Sequence, residues 1–380
     1  MLNILADRDI NAVAEHFSAL GELRLFDGRS LNATTVGDAD VLLVRSVSKV
    51  DAALIRGSRV QFVGSATAGI DHIDTEALAT AGIQFNNAAG CNARPVAEHV
   101  VTCLYLHAVR IGCAPRELRV GIIGCGHVGR SLIVLLDALG IAHVDYDPPR
   151  AAREPDFVSA EFAAVLACQL VTLHVPLVVG GRWPTVNLLH AEALAELRPG
   201  TLVINAARGG VLDEAALSAR LQGVHALVAA LDCWAGEPRV DSTLLARCWL
   251  ATPHLAGHSF EARLSATRTL WAALRAWRGL PQAAPPVTLP AIDAVRSLSV
   301  DGGIAALAAS VYPLAAHDLR MRVALTLSAP QAGAHFDEIR RRYALRREFS
   351  AYSVARAGLA PDTVAELTAL GFNCAGAATP

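Results

Sequence analysis

Short apolar runs alternate with amphipathic stretches along the first part of the chain. The runs LNILAD, VLLVRS and VQFVGSATAGIDHID are separated by stretches of helical periodicity such as INAVAEHFSALG. Apolar runs of strand length that alternate with helices predict parallel sheets covered by helices. The segment PVAEHVVTCLYLHAVRIG then predicts a long apolar helix, whose first turn is too polar for a membrane span.

The same alternation restarts at Leu118 and continues to about Leu255. RVGIIGCGHVGRSLIVLLDALG comes first, and IAHVDYD, LVTLHVP, TLVINAA, HALVAALDCW and ATPHLAG follow it. SFEARLSATRTLWAALRAWRG predicts a further helix, and the proline-rich PQAAPPVTLP predicts a linker. Beyond the linker lies an arginine-rich unit without a glycine-rich loop.

A chain of 380 residues is too long for one ordinary core, so more than one domain is expected. We predict an α/β protein with two Rossmann-like, doubly wound parallel-sheet domains and a C-terminal α+β domain. Residues 1–110 and 256–280 would form a substrate domain, 111–255 a dinucleotide-binding domain, and 291–380 the C-terminal domain.

Composition excludes several classes of protein. Apolar residues make up 53% and charged residues 18%, which suits a packed globular protein. A formal net charge of -2 argues against a nucleic-acid partner. The opening MLNILADRD is neither a signal nor a transit peptide, and the eight cysteines show no C-x-x-C pair and no nearby histidine spacing. We expect a cytoplasmic protein with reduced thiols, no membrane contact and no metal site.

A glycine motif in VGIIGCGHVGRS predicts a dinucleotide site. Gly124 would allow the tight turn after the strand, Gly126 the approach of a pyrophosphate, and Gly129 close packing of helix on strand. Asp147 follows Gly124 by about 20 residues, at the end of the next predicted strand, where its carboxylate could bind both ribose hydroxyls. Because that charge would repel a 2′-phosphate, NAD is favoured over NADP.

Three polar residues each follow a predicted strand and stand beside glycine or proline. They are Arg208 in NAARGG, Glu237 in DCWAGEP and His254 in TPHLAG. Open α/β sheets bind ligands at the carboxyl ends of their strands, so the three are expected to meet. A cation, a base and a carboxylate that holds the base are what hydride transfer from a 2-hydroxy acid requires. We predict that they form a catalytic set.

These motifs resemble the D-isomer-specific 2-hydroxyacid dehydrogenases. RGGVLDEAAL and DCWAGEP match the family's patterns around its arginine and glutamate, and GSATAGIDHID resembles its substrate-carboxylate loop. The tail FDEIRRRYALRREFS, with LGFN, resembles a C-terminal dimerisation domain within the family. The resemblance implies oxidation of a small phosphorylated hydroxy acid with NAD by a homodimer.

Further site residues are implied by the resemblance alone. The implied cofactor contacts are His127, Val128, Ala206, Asp232 and Gly257, and the implied substrate contacts are Ser46, Thr67, Gly69 and His258. Val175 and His258 depart from the family, which often has threonine and tyrosine there. For the phosphate, Arg45, Ser46 or an arginine of the third unit are candidates.

In the expected reaction, neutral His254 takes the hydroxyl proton and Glu237 holds its other ring nitrogen. Arg208 pairs with the substrate carboxylate and the C2 oxygen. Two alternatives stay open. One is a sibling enzyme such as 3-phosphoglycerate dehydrogenase, and the other is an NAD-sensing, corepressor-like binding protein.

Overall fold

The chain folds into two compact units. The computed structural model describes residues 1–281, 283–287, 289, 295–296, 303–356 and 358–374. The first unit comprises Met1–Asn92 and Ser259–Ala291, and the second comprises Ala93–His258 and Ile292–Pro380.

The first unit is built on a five-stranded sheet in the order β2-β1-β3-β4-β5 with every neighbouring pair parallel. Helices cover it, and Leu270, Trp271 and Leu274 of α12 pack with the buried side chains of β1 and β3. The elements are β1 Leu2–Asp7, α1 Val13–Phe17, β2 Gly21–Phe26, α2 Ala33–Val36, β3 Val41–Val44, α3 Ala52–Ile55, β4 Phe62–Ser65, α4 Thr75–Thr80, β5 Gln84–Asn87 and α12 Phe260–Trp277.

Two strands of this sheet, β2 and β5, were not predicted. Both are edge strands, and their sequences GELRLF and QFNN carry polar side chains that are largely exposed or half-buried. An edge strand needs no continuous apolar run, because one of its sides has no strand neighbour. The predicted helix at residues 10–21 is also shorter, since Ala12 adopts a left-handed backbone and α1 begins after it.

The second unit contains a six-stranded parallel sheet in the order β11-β10-β9-β8-β6-β7. Four of its strands, β6, β8, β9 and β10, are buried along their whole length, as expected for a sheet covered on both faces. The elements of this sheet and its helices are α5 Ala93–Ile111, β6 Val120–Ile123, α6 His127–Leu139, β7 His143–Tyr146, α7 Pro148–Ala151, α8 Phe162–Leu166, β8 Leu170–Leu173, α9 Ala191–Glu196, β9 Leu202–Asn205, α10 Glu214–Arg220, β10 Val228–Leu231, α11 Ser242–Arg247 and β11 Leu250–Ala251.

The predicted C-terminal domain contains helices and a two-stranded parallel ladder. Its elements are β12 Val295–Arg296, α13 Gly303–Val311, α14 Leu314–Arg322, α15 Ala329–Arg341, β13 Ser353–Val354 and α16 Pro361–Leu370. Short 3₁₀ turns over Gly28–Ser30, Pro115–Glu117, Val323–Thr326 and Phe349–Ala351 complete the described secondary structure. The described residues of the predicted linker at 281–290 carry no helix or strand.

The C-terminal segment belongs to the compact core of the second unit. Its buried residues Leu307, Val311 and Leu367 share one apolar cluster with residues of α5 and α6. A buried ion pair adds to this contact: Glu98 of α5 accepts from Arg346 at 2.7 Å and from the backbone N–H of Phe349 at 3.0 Å. The compact units therefore differ from the predicted boundaries, since α5 and residues 303–374 group with the nucleotide-binding sheet.

Candidate active site

The glycine motif lies where β6 turns into α6, and each glycine has a distinct steric role. Gly124 has φ +94°, and a Cβ there would lie 2.8 Å from the backbone of His174. A Cβ on Gly129 would lie 2.2 Å from the carbonyl oxygen of Gly124. A Cβ on Gly126 would meet nothing within 4 Å, so the backbone there is open to a ligand.

The amino end of α6 suits a dinucleotide pyrophosphate. Gly126 is its N-cap, and no side chain caps the helix. Backbone N–H groups of the first turn are thus offered to an anion, with the helix dipole favouring negative charge. His127 is exposed and Val128 half-buried at the same turn, and their implied cofactor roles stay predictions. The residues present fit the NAD that the sequence implied.

Asp147 stands directly after β7 and anchors the glycine loop. Its Oδ2 accepts from the backbone N–H of Cys125 at 2.8 Å, and its Oδ1 accepts from Arg150 N at 2.9 Å as the N-cap of α7. The side chain is therefore fixed beside the loop that would hold the pyrophosphate. A carboxylate oxygen can accept more than one hydrogen bond, so Asp147 can still accept hydrogen bonds from ribose hydroxyls.

Arg208 follows β9 in a loop that is shaped by its neighbours. Asn205 holds the loop, because its Nδ2 donates to the Arg208 carbonyl at 2.9 Å and its Oδ1 accepts from Ala207 N at 3.1 Å. A Cβ on Gly209 would lie 2.0 Å from the carbonyl oxygen of Trp234. The glycine therefore allows the Arg208 loop to pack directly on the loop that carries Glu237.

Glu237 and His254 are joined by a hydrogen bond. His254 Nδ1 lies 2.9 Å from Oε2 and 3.2 Å from Oε1 of Glu237. The backbone N–H of Trp234 also donates to Glu237 Oε1 at 2.9 Å, which fixes the carboxylate. If Nδ1 carries the proton, as a carboxylate neighbour favours, Nε2 is left as the proton acceptor.

The loop that carries His254 is clamped by Asp232, which is 1% exposed. One carboxylate oxygen accepts from Thr252 Oγ1 at 2.6 Å and Leu255 N at 2.7 Å, and the other from Ala256 N at 3.0 Å. His254 itself has φ +55°, a left-handed conformation that is uncommon for a residue other than glycine. Asp232, implied as a cofactor contact, thus also fixes the backbone of the candidate base.

One pocket of about 300 Å³ brings the predicted catalytic set together. Arg208, Glu237 and His254 all line it. The other lining residues come from the same loops and from the segment after β8; they are Leu177, Gly209, Gly210, Trp234, Ala235 and Gly236. The sequence interpretation placed the three residues at strand ends, and the structure agrees for β9, β10 and β11.

Glu214 lies beside this set and was not singled out from the sequence. It opens α10 and accepts from the backbone N–H of Ala235 at 2.5 Å. Burial raises the pKa of Glu214 to about 7, and the charges of Glu237 and Asp241 add to the rise. Glu214 lies in RGGVLDEAAL, the motif that begins with Arg208, and this position could have indicated a role for it from the sequence.

Cys233 is another residue of this site that was not predicted from the sequence. It is fully buried two residues after β10, and its Sγ, a Glu237 oxygen and a His254 nitrogen all lie within 4.8 Å of one another. No metal site was expected, because the cysteines show no C-x-x-C pair and no nearby histidine spacing. The tertiary structure alone brings these atoms together.

The implied substrate residues Ser46, Thr67 and Gly69 belong to the first unit. Ser46 is exposed in the turn after β3. Thr67 follows β4, where its Oγ1 lies 2.7 Å from Ser65 Oγ and donates to the Gly69 carbonyl at 2.8 Å. These bonds order the loop after β4.

The remaining implied contacts are partly accessible in the second unit. Ala206, Gly257 and His258 are half-buried, and the His258 ring lies 6.3 Å from that of Tyr343. Val175 packs beside the glycine turn, since a Cβ on Gly124 would lie 2.7 Å from its Cγ1. The roles of Ala206, Gly257 and His258 stay predictions.

Two family models and many curated relatives match the chain. The model described as D-isomer specific 2-hydroxyacid dehydrogenase, NAD binding domain, matches residues 106–256, and a domain of unknown function (DUF3410) matches residues 284–371. The chain is 39% identical over 379 residues to erythronate-4-phosphate dehydrogenase of Hahella chejuensis, across 98% of this chain and 99% of that protein. It is 41% identical over 375 residues to the Pseudomonas putida protein of the same name, across 97% and 98%. The chain belongs to the erythronate-4-phosphate dehydrogenase family.

Membership of the erythronate-4-phosphate dehydrogenase family confirms the predicted NAD-dependent oxidoreductase class. A solved structure of similar fold is NAD⁺-bound 3-phosphoglycerate dehydrogenase of Entamoeba histolytica. It has a TM-score of 0.61 at 22% identity and covers 73% of this chain and 95% of that one. The predicted pair of Rossmann-like parallel sheets is confirmed. Within the described residues, no helix combines the length and apolar character needed to cross a bilayer.

Proposed function

We propose that the protein oxidises 4-phospho-D-erythronate to (R)-3-hydroxy-2-oxo-4-phosphooxybutanoate with NAD, a step of pyridoxal 5′-phosphate biosynthesis. The observation that carries the chemistry is the Glu237–His254 hydrogen bond in a pocket that Arg208 also lines. The choice of substrate rests on the end-to-end similarity to relatives of that name.

The chain's own residues carry the proton and the substrate charge. His254 Nε2 removes the proton from the C2 hydroxyl as C2 becomes a carbonyl carbon. Glu237 keeps the other ring nitrogen protonated and stabilises the imidazolium that results. Arg208 pairs with the substrate carboxylate and the oxygen on C2. NAD, when bound, supplies the hydride acceptor.

Phosphate recognition requires a cation that is not already paired. Arg45 binds Asp7 at 2.9 Å and Asp9 at 2.6 Å, and Arg346 binds buried Glu98, so both charges are already matched. Burial raises the pKa of the Cys233 thiol, and Arg340 of α15 is close enough for its positive charge to offset part of that rise. We favour Arg340 for the phosphate. Ser46, Thr67, Gly69 and His258 stay the substrate contacts that the family resemblance implies.

The test is the appearance of NADH when purified protein is mixed with 4-phospho-D-erythronate and NAD. We expect kcat/KM with this substrate to exceed that with 3-phosphoglycerate by at least tenfold, and Arg340→Gln to raise KM for the phosphorylated acid. Equal or greater turnover of 3-phosphoglycerate would favour the sibling activity. Binding of NAD without turnover of either acid would favour a binding protein.

We also propose a cytoplasmic homodimer. Leu319, Val323 and Leu325, on α14 and the turn after it, are large apolar residues that stay exposed in the single chain. Exposed apolar surface of this kind often marks a contact between subunits. Sedimentation of the whole protein would give the mass of a dimer, and Leu319→Glu with Val323→Glu should shift it toward a monomer.

A further inference from the structure

Cys233 supplies a thiol at a point where the proposed reaction uses only a carboxylate and an imidazole. Its Sγ lies with Glu237 and His254 in a cluster whose ligand atoms are all within 4.8 Å of one another. Proton removal at His254 does not involve this thiol. A buried free thiol beside the base and its carboxylate therefore lacks a role in the chemistry described so far.

The spacing of these atoms is close to that of a metal site. Tetrahedral Zn²⁺, with bonds of about 2.0–2.3 Å, holds its ligand atoms about 3.4–3.6 Å apart. His254 Nδ1 now lies 2.9 Å from one Glu237 oxygen and 3.2 Å from the other. Opening that pair by about half an ångström would admit an ion of this size between them.

The donor set also selects the kind of metal. A thiolate and a carboxylate together balance the two charges of the cation, and imidazole adds a neutral third ligand. Thiolate sulfur favours soft or borderline ions such as Zn²⁺ and Cd²⁺ over Mg²⁺ and Ca²⁺. The fourth position would take water, since Glu237 and His254 line an open pocket with side chains 22% and 31% exposed.

We propose that Cys233, Glu237 and His254 form a binding site for a thiophilic divalent cation of the Zn²⁺ class, and that its occupancy inhibits the enzyme. On binding, the Cys233 S–H bond breaks, an S–metal bond forms and the thiol proton passes to solvent, while the His254 proton moves from Nδ1 to Nε2 so that the ring binds as a neutral ligand. Glu237 and His254 Nδ1 then hold the metal rather than each other. The inhibition rests on the proposed function, whereas the metal binding does not.

Binding is tested by titrating the whole, chelator-treated protein with Cd²⁺ and following the thiolate-to-cadmium charge-transfer absorption. We expect one equivalent to bind with this absorption in the parent protein. Cys233→Val should lose the band and bind Cd²⁺ at least tenfold more weakly. The matched control is Cys168→Val, which removes another buried thiol of the second unit, outside the cluster, and should behave as the parent does.

Inhibition is tested with Zn²⁺ in the dehydrogenase assay. Cys233→Val should keep its metal-free kcat within about twofold and need at least tenfold more Zn²⁺ for half inhibition. Cys233→Ser, which replaces the sulfur by a hydroxyl, gives the same test if the valine variant does not fold. An unchanged Cd²⁺ band and Zn²⁺ midpoint in the Cys233 variants would overturn the proposal.

The two proposals fail in different ways. A protein that shows the Cd²⁺ band but never oxidises 4-phospho-D-erythronate would refute the proposed function and keep the metal site. An active protein without the band in any form would refute the metal site and keep the function.

Discussion

The carboxylate of Glu237 bridges the backbone N–H of Trp234, at 2.9 Å from Oε1, and the ring of His254, at 2.9 Å from Oε2. Both oxygens are thus used as acceptors at the same time. This double role makes the replacement of Glu237 by glutamine informative, because glutamine offers only one acceptor oxygen.

Glu237→Gln is expected to lower kcat by about 10²–10⁴-fold. If the amide oxygen keeps the Trp234 bond, its NH₂ group faces His254 and forces the ring proton onto the catalytic nitrogen. Glu214→Gln serves as a control, because its amide oxygen can still accept from Ala235 N. The hydrogen bond of Glu214 is to Ala235 and not to His254. A Glu237→Gln enzyme within threefold of the parent kcat would remove Glu237 from the catalytic set.

Asp232→Asn should weaken the clamp on the His254 loop. One amide oxygen cannot replace a carboxylate that accepts from Thr252, Leu255 and Ala256. We expect the free energy of unfolding to fall by about 1–3 kcal/mol, and kcat to fall at least tenfold because His254 is less well held. Denaturant unfolding and steady-state rates measure both. Thr252→Val, which removes one of the three bonds, should show a smaller effect on each, and the reverse order would contradict the clamp.

Gly126→Ala and Gly129→Ala should separate cofactor binding from folding. The added methyl at 126 meets open space, so we expect an unchanged Tm and weaker NAD binding. The methyl at 129 would lie 2.2 Å from the Gly124 carbonyl oxygen, so that variant should lose stability as well. Thermal unfolding and NAD titration of both variants test this. Unchanged NAD affinity in Gly126→Ala would show that the pyrophosphate does not approach there.

Asp147→Ala should reduce the preference for NAD over NADP. Loss of a charged hydrogen bond to the ribose corresponds to about 1–3 kcal/mol in relative kcat/KM. Because Asp147 also holds Cys125 N and caps α7, some stability should be lost too. Asp145→Asn is the control, since Asp145 pairs with His143 instead. A parent-like NAD/NADP ratio in Asp147→Ala would contradict the assignment.

Glu214 should make the protein less stable as pH rises. Its pKa, raised to about 7 by burial, lies above the value of 4.5 expected for the unfolded chain. The folded state therefore binds more protons between about pH 4.5 and 7, and unfolding free energy should fall across that window. Glu214→Gln should flatten this part of the profile, and the exposed Glu196→Gln should not. Urea unfolding at pH 5, 6 and 8 measures this dependence. If the free energy of unfolding of Glu214→Gln changed with pH as it does in the parent protein, the burial argument would be contradicted.

The sequence predicted those parts of the protein that depend on local pattern. Fully buried strands such as β6, β8 and β9 are short, mainly apolar runs, and this pattern made them predictable. The glycine motif could be predicted because it stands between an apolar strand and a helix, and Gly129 packs against the Gly124 carbonyl oxygen of the same motif. Arg208, Glu237 and His254 could be grouped because parallel strands place their carboxyl ends at one edge of the sheet.

The tertiary structure alone decided what depends on distant partners. The polar strands β2 and β5 are held by their neighbours, not by their own apolar pattern. Arg346 lies in the arginine-rich tail, and only the structure shows it buried against Glu98, which is 248 residues away. Three features of the site likewise depend on loops that follow different strands and meet only in the fold. They are the hydrogen bonds of Asp232, the raised pKa of Glu214 and the position of the Cys233 thiol beside Glu237 and His254. Local pattern fixes strands and turns, whereas burial and hydrogen-bond geometry depend on which segments pack together.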